Sequence, residues 1–166
     1  MKEQLRFGLI ITSDRSSRGE RSDQTIPLMR QEIENLNWTL VKTLIIPDEI
    51  NSIKETLLEW VKEGLVDIIL TSGGTGLSPR DVTPDATQAV VERTIPGLVE
   101  AMRWQGMKLK PHAMLSRALA GMRGNILIIN LPGNPKAAVD NFRIIQPVLP
   151  HAIELMNEDP EAERHH

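Results

Sequence analysis

Apolar residues in this chain fall into two kinds of run that alternate along its length. Leu5 to Ser13 (LRFGLIITS) is almost continuously apolar, the pattern of a strand covered on both faces, as in a parallel sheet. Trp38 to Ile46, Asp67 to Ser72 and Asn125 to Leu131 read as further strands. Between these runs the period lengthens. Ile26, Met29, Ile33 and Leu36 recur at helical spacing, with Pro27 in the opening turn. Ile53, Leu57, Leu58, Trp60 and Val61 mark a second helix, with Ser52 and Glu55 placed as a capping box at its start. Ala86, Ala89 and Val90 mark a third. Leu98, Ala101 and Met102 mark a fourth, ending near Lys108 before Pro111, and a short helical segment is expected over Ala113 to Leu119. A helix is expected from Pro135 through Ala138, and a final one carries Ile145, Val148, Leu149, Ala152, Ile153 and Met156. Asp14 to Gln24 reads as a loop, Gly121 to Gly124 as a turn-rich stretch, and the chain from Asn157 as a polar tail.

Strand and helix alternate for most of the length, which predicts an α/β fold: three layers, α/β/α, with a mostly parallel central sheet. No repeat, low-complexity segment or linker interrupts the pattern. The 166 residues therefore read as a single domain with its core over about residues 5–156.

Composition narrows the function. There are 19 basic and 22 acidic side chains, a net charge of −3, three Trp, two Phe and no Tyr. Neither the electrostatic footprint of a nucleic-acid binder nor its stacking platforms are present. The absence of cysteine removes disulfides, thiolate catalysis and cysteine-ligated zinc. The first apolar run meets Asp14 after a few residues, too short for a membrane span or a signal segment, so a cytoplasmic protein is expected. His165 and His166, native or tag-derived, are not read as a metal site.

The candidate chemistry gathers at the carboxyl ends of the expected strands, where open parallel sheets bind ligands. The first strand delivers Ser13 and Asp14, the second Pro47-Asp48-Glu49, and the late strand Asn130 and a Pro-Gly-Asn-Pro-Lys turn ending at Lys136. The third opens into SGGTGLSPRD, with Gly73, Gly74 and Gly76 in four residues and Asp81 at the end. Glycine lets backbone N–H groups approach an anion closely. Thr83-Pro84-Asp85 and Asn134-Pro135 each have the form of a helix N-terminus, which favours an anion in the same way. Arg80 and Lys136 could add full charges. Carboxylates beside phosphates repel them unless a cation lies between, so Asp48 and Asp81 read best as partners of Mg²⁺. Taken singly, each residue also has a plain structural reading: Asp48 as a helix cap, Asp81 as a turn former, Lys136 as a solvated lysine, Ser116 as a helix serine with no local histidine base. The Walker A, G-x-G-x-x-G, H-E-x-x-H and G-x-S-x-G motifs are absent. The residues alone thus reach a phosphorylated ligand, with Mg²⁺, at one sheet edge.

Thr71 to Thr87 (TSGGTGLSPRDVTPDAT) together with Asn130 to Ala137 (NLPGNPKA) resembles the molybdopterin-binding family that includes the MogA and MoaB proteins and the G domain of gephyrin. Ser13 to Arg15 (SDR), Ile46 to Glu49 (IPDE), Pro96 to Arg103 (PGLVEAMR) and Met114 to Gly121 (MLSRALAG) extend the resemblance over Leu5 to Leu155. It implies transfer of an adenylyl group from Mg-ATP to molybdopterin, with release of pyrophosphate. Asp48 and Asp81 match the family's essential aspartates, and Ser116 a serine of the same site. Gly73, Gly74, Thr75 and Gly76 match the nucleotide and pterin-phosphate loop, while Gly133, Asn134 and Lys136 match a second loop. A homotrimer and hand-off to a molybdenum insertase are implied as well. SDRSS and TPDAT look like MogA, and the compact length looks like MoaB. The alternatives are a non-catalytic, MoaB-like binding or scaffold protein and a nucleotide hydrolase akin to competence-associated proteins.

Overall fold

In a computed structural model that describes residues 4–157, all but the first residue of strand β1 (Arg6–Thr12) are buried. The reason lies in its side-chain alternation. Phe7, Leu9 and Ile11 pack into one apolar cluster, and Ile10 packs into another on the opposite face. After β1 come a single-turn α1 (Asp14–Ser17), α2 (Thr25–Glu34), β2 (Thr39–Ile46), α3 (Ile50–Glu63), β3 (Ile68–Ser72), α4 (Thr83–Val90), β4 (Arg93–Thr94) and α5 (Pro96–Leu109). They are followed by β5 (Ala120–Arg123), β6 (Ile126–Leu131), α6 (Pro135–Ile145) and α7 (Leu149–Met156), with 3₁₀ turns at Pro111–Leu115 and Gln146–Val148. The sheet order is β2-β1-β3-β6-β5-β4. The first four strands in that order are mutually parallel, and β5 and β4 add an antiparallel edge.

The expected three layers are present. Helices α2, α5, α6 and α7 cover one face through Met29, Ile33, Met102, Phe142 and Ile153. Helices α3 and α4 cover the other through Ile53, Leu57, Trp60, Ala86 and Val90. Gly8 leaves room for that second layer: a Cβ on it would come within 2.5 Å of the Trp60 ring. Gly8→Ala is therefore expected to cost about 1–3 kcal/mol through overpacking, read as a lower denaturation midpoint at unchanged m-value. Among the described residues no helix is long and apolar enough to cross a membrane.

Several local expectations are corrected. Gly121 to Arg123 lies in β5 rather than in a turn; Gly121 is there because a Cβ would meet the Arg93 carbonyl at 2.7 Å, and the turn falls on Gly124 at φ +54°. Helix α3 starts at Ile50 with Glu49 as an N-cap that makes no side-chain bond, so Ser52 and Glu55 lie inside the helix and form no capping box. The segment before β5 is a 3₁₀ turn only to Leu115, and Ser116 is extended. Ile145 closes α6 instead of opening the last helix, because Pro147 interrupts the helical bonding there. The loop after β1 contains α1, capped by the Ser13 hydroxyl accepting from the Ser16 N–H. The polar tail and His165-His166 lie outside the described residues.

Candidate functional site

Strand β1 leads outward to β2 on one side, while β3 lies on its other side. The sheet order therefore reverses between β1 and β3, and a crevice opens at their carboxyl ends. A cavity of about 370 Å³ occupies it. Its wall includes Thr12 and Ser13 after β1, Asp48 after β2, Gly73, Gly74 and Asp81 after β3, and Gly133 and Asn134 after β6. Of the residues singled out from the sequence, Ser13, Asp48, Gly73, Gly74, Asp81, Gly133 and Asn134 come together here. Thr75, Gly76, Ser116 and Lys136 do not line the cavity. Ser116 precedes Arg117, whose N–H bonds the Thr75 carbonyl, and its hydroxyl accepts from the Ala118 N–H; Lys136 is exposed in the first turn of α6.

The glycines are needed for backbone reasons. Gly73 and Gly74 have φ of +113° and +62°, and side chains there would strike the Thr12 carbonyl and the Thr83 hydroxyl. The Gly73 N–H is already used, donating to the Leu131 carbonyl at 3.2 Å. The next three are different: among the described residues, the N–H groups of Gly74, Thr75 and Gly76 donate to no protein acceptor. Consecutive free N–H groups on a glycine turn make an anion-binding concavity. On the facing side the Asn134 carboxamide caps α6 by accepting from the Ala137 N–H at 3.0 Å, and the helix N-terminus adds its dipole.

Thr83 does not act as an N-cap. Val82 holds that position without a side-chain bond, and Thr83 opens α4. Its hydroxyl instead meets that of Thr12 at 3.0 Å. Beneath it, Asn130, fully buried, donates to the hydroxyls of Thr71 and Thr87 at 2.9 Å each. Buried polar groups must be satisfied, and this network satisfies those beneath the loop.

The carboxylates are set by their neighbours. Asp48 and Asp14 bond reciprocally: the Asp14 N–H donates to Asp48 Oδ2 at 2.9 Å, and the Asp48 N–H to Asp14 Oδ1 at 3.0 Å. Arg80 closes on Asp14 as a two-pronged fork at 2.8 and 2.9 Å, which holds the Asp14 carboxyl below the usual carboxylate range. Burial pushes Asp48 up, and the charges of Asp14 and Asp81 add to that rise. Asp81 folds back so that its Oδ2 accepts from the Ser78 N–H at 3.0 Å.

One oxygen of Asp48 and one of Asp81 thus accept from no donor among the described residues. Two such oxygens on one cavity fit Mg²⁺, which takes one or two carboxylates and completes its shell with phosphates and water. They do not fit an all-protein metal cage, and no group of three or more His, Cys, Asp or Glu among the described residues could hold an ion. The sequence reading named Asp14 and Arg80 but not their pairing: Arg80, read as a cation for phosphate, is committed to Asp14. It missed Ser16, Arg21, Asp23 and Thr25, which also line the cavity and carry no motif that would have marked them.

Comparison with known proteins gives this geometry a context. Residues 8–151 match the family model described as "Probable molybdopterin binding domain". The chain is 40% identical over 158 residues to the molybdenum cofactor synthesis protein cinnamon of Drosophila melanogaster, covering 95% of this chain and 26% of that one. It is 45% identical over 135 residues to molybdopterin adenylyltransferase of Haemophilus influenzae, covering 80% and 68%. The crystal structure of the molybdopterin biosynthesis enzyme MoaB of Thermus thermophilus superposes with a TM-score of 0.87 at 43% identity, covering 93% and 98%. The chain spans about a quarter of the length of cinnamon and of the gephyrin of Dictyostelium discoideum, which it also matches.

Proposed function

The chain belongs to the probable molybdopterin binding domain family, and we propose that it works in molybdenum cofactor biosynthesis as a molybdopterin adenylyltransferase acting on Mg-ATP. The observation that carries this reading is the pairing of Asp48 and Asp81 on one cavity with Gly74, whose free N–H begins a run of three that continues along the loop through Thr75 and Gly76. Relatives that carry the adenylyltransferase name support it.

In the reaction the terminal phosphate of molybdopterin forms a bond to the α-phosphorus of ATP, and the α–β bond breaks to release pyrophosphate. Both reactants are polyanions, so the work of the site is to bring them together and offset their charge. The amides of Gly74, Thr75 and Gly76 and the N-terminus of α6 bind phosphate oxygens without adding flexible side chains. Asp48 and Asp81 would hold Mg²⁺, which when bound neutralises developing charge on the phosphates. Gly133 keeps the second loop close: its Cβ position lies 3.2 Å from Gly73 Cα, so a larger residue would push the two phosphate loops apart. Ser116 and Lys136 take part, in this reading, only once substrate is bound. The single domain acts as a cytoplasmic homotrimer that hands its product to a molybdenum insertase.

Incubation with Mg-ATP and molybdopterin is expected to yield adenylyl-molybdopterin and pyrophosphate in equal amounts. Pterin binding without ATP consumption would replace this reading with a non-catalytic carrier. Pyrophosphate or phosphate release without pterin would replace it with a nucleotide hydrolase. ATP with Mg²⁺ is also expected to raise the melting midpoint, since a ligand of the folded state alone stabilises it.

A further inference from the structure

The loop from Gly73 to Val82 must hold its amides and Asp81 in fixed positions, yet its glycines give it freedom. Its base is tied down by the Gly73 N–H on the Leu131 carbonyl and the Thr83 N–H on the Gly74 carbonyl. Its outer half turns on itself through the Ser78–Asp81 bonds. The stretch between is held by a residue far away in sequence. The Arg117 N–H donates to the Thr75 carbonyl at 2.8 Å. Its Nε donates to the Gly76 carbonyl at 3.0 Å and its Nη2 to the Asp81 carbonyl at 2.6 Å. Asp85, in the first turn of α4, takes the same guanidinium in a fork at 3.2 and 2.9 Å.

We propose that Arg117 is a positioning residue for adenylyl transfer: a guanidinium clamp that fixes the Gly74–Gly76 amides and Asp81 relative to each other. The proposal rests on the functional reading above. Four of the five guanidinium N–H groups are spent on protein acceptors, so the side chain acts through the loop and not on a phosphate. The clamp also has a rigid anchor. Two residues on, Leu119 exchanges hydrogen bonds with Asn130, its N–H donating to the Asn130 side chain at 3.1 Å and its carbonyl accepting from the Asn130 N–H at 2.9 Å. Asn130 is the buried centre of the network under the loop. Arg103 fixes the same strip from the other side, donating to the carbonyls of Ser116 and Ala118. Because the Arg117–Asp85 pair is partly exposed, it adds little to global stability; its effect is on geometry. Lysine keeps the charge but offers its donors from one point, and cannot span Gly76, Asp81 and Asp85 together.

Arg117→Lys is the test, with Arg143→Lys as the control, since Arg143 makes an equally forked but unrelated pair with Glu32. Amide hydrogen exchange, read without substrate, is expected to accelerate at Ser78 and Asp81 in Arg117→Lys and to stay unchanged in the control. The kcat is expected to fall at least about tenfold while KM for ATP changes less than about threefold, because misplacement and not lost binding is the defect. Asp85→Asn, which loosens the fork but leaves the carbonyl contacts, is expected to fall in between. Wild-type exchange rates in Arg117→Lys overturn the clamp, whatever turnover does. A rise in KM alone overturns it in favour of substrate binding by Arg117. Asp81→Asn is run in parallel: its full activity would remove the underlying functional reading, whereas its loss beside a fully active Arg117→Lys overturns the clamp alone.

Discussion

Asp81→Asn is expected to lower adenylyl transfer by about a hundredfold or more while leaving the fold and pterin binding in place. Asparagine keeps the oxygen that accepts from the Ser78 N–H, so the turn at the end of the glycine loop survives. What disappears is the negative charge on the cavity wall, beside Asp48. A residue that was only a turn former would give the opposite pattern, with normal turnover and a modest loss of stability. Turnover measured beside the melting midpoint separates the two. Added Mg²⁺ should restore part of the activity, because a weaker carbonyl ligand raises the concentration needed.

Asp48→Asn is expected to abolish turnover to a similar degree and at the same time to make the protein more stable at neutral pH. Burial raises the Asp48 carboxyl above its ordinary value, and the neighbouring charges of Asp14 and Asp81 add to the rise. The folded state therefore holds this proton more tightly than the unfolded state does. The associated stability is present at low pH and is lost as pH rises from the ordinary carboxylate value through the raised one. Above that window the ionised group is a standing penalty. Asparagine removes the penalty and can still accept from the Asp14 N–H. The melting midpoint should rise at about pH 7–8, and the advantage should fade as pH falls and wild-type Asp48 takes up its proton. A lower midpoint at neutral pH would mean that the reciprocal bonding with Asp14 outweighs the charge. Asp14 itself has the reverse sign: Arg80 holds its carboxyl low, so its contribution is present at neutral pH and disappears under acid.

These two carboxylates show how much of the site could be read in advance. Asp48 and Asp81 lie 33 positions apart, and each alone reads as a cap or a turn. Alternation of strand and helix placed both beyond strand ends, on the edge where ligands bind, and the paired loop motifs did the rest. What the pattern could not supply was their company. Asp14 and Arg80 are separated by 66 positions and form one ion pair; Arg117 lies 41 positions from Gly76 and holds its carbonyl. Contacts of that kind leave no periodic trace.

Local elements were legible where burial dictates the spacing. The apolar runs that became β1, β3 and β6 follow from coverage on both faces, and α2 and α3 follow from a single apolar stripe. Glycine was the least readable residue. In Gly121 it looked like a turn and proved to be a place where strand β5 comes too close to Arg93 for a side chain. In Gly73 and Gly74 it looked like a loop, and the loop was there, but one of its amides was already taken by Leu131. Thr83 had the form of a cap and is instead a buried hydroxyl facing Thr12.

The sequence by itself determined the layered α/β plan, the strand ends that carry chemistry, and the two glycine-containing loops, because side-chain period and backbone permissiveness are local properties. Tertiary structure alone decided the strand order that opens the crevice between β1 and β3, which loop amides remain free, and how the acids are partnered. Those depend on which surfaces meet when the sheet is covered on both faces, and that is settled by packing the whole chain at once.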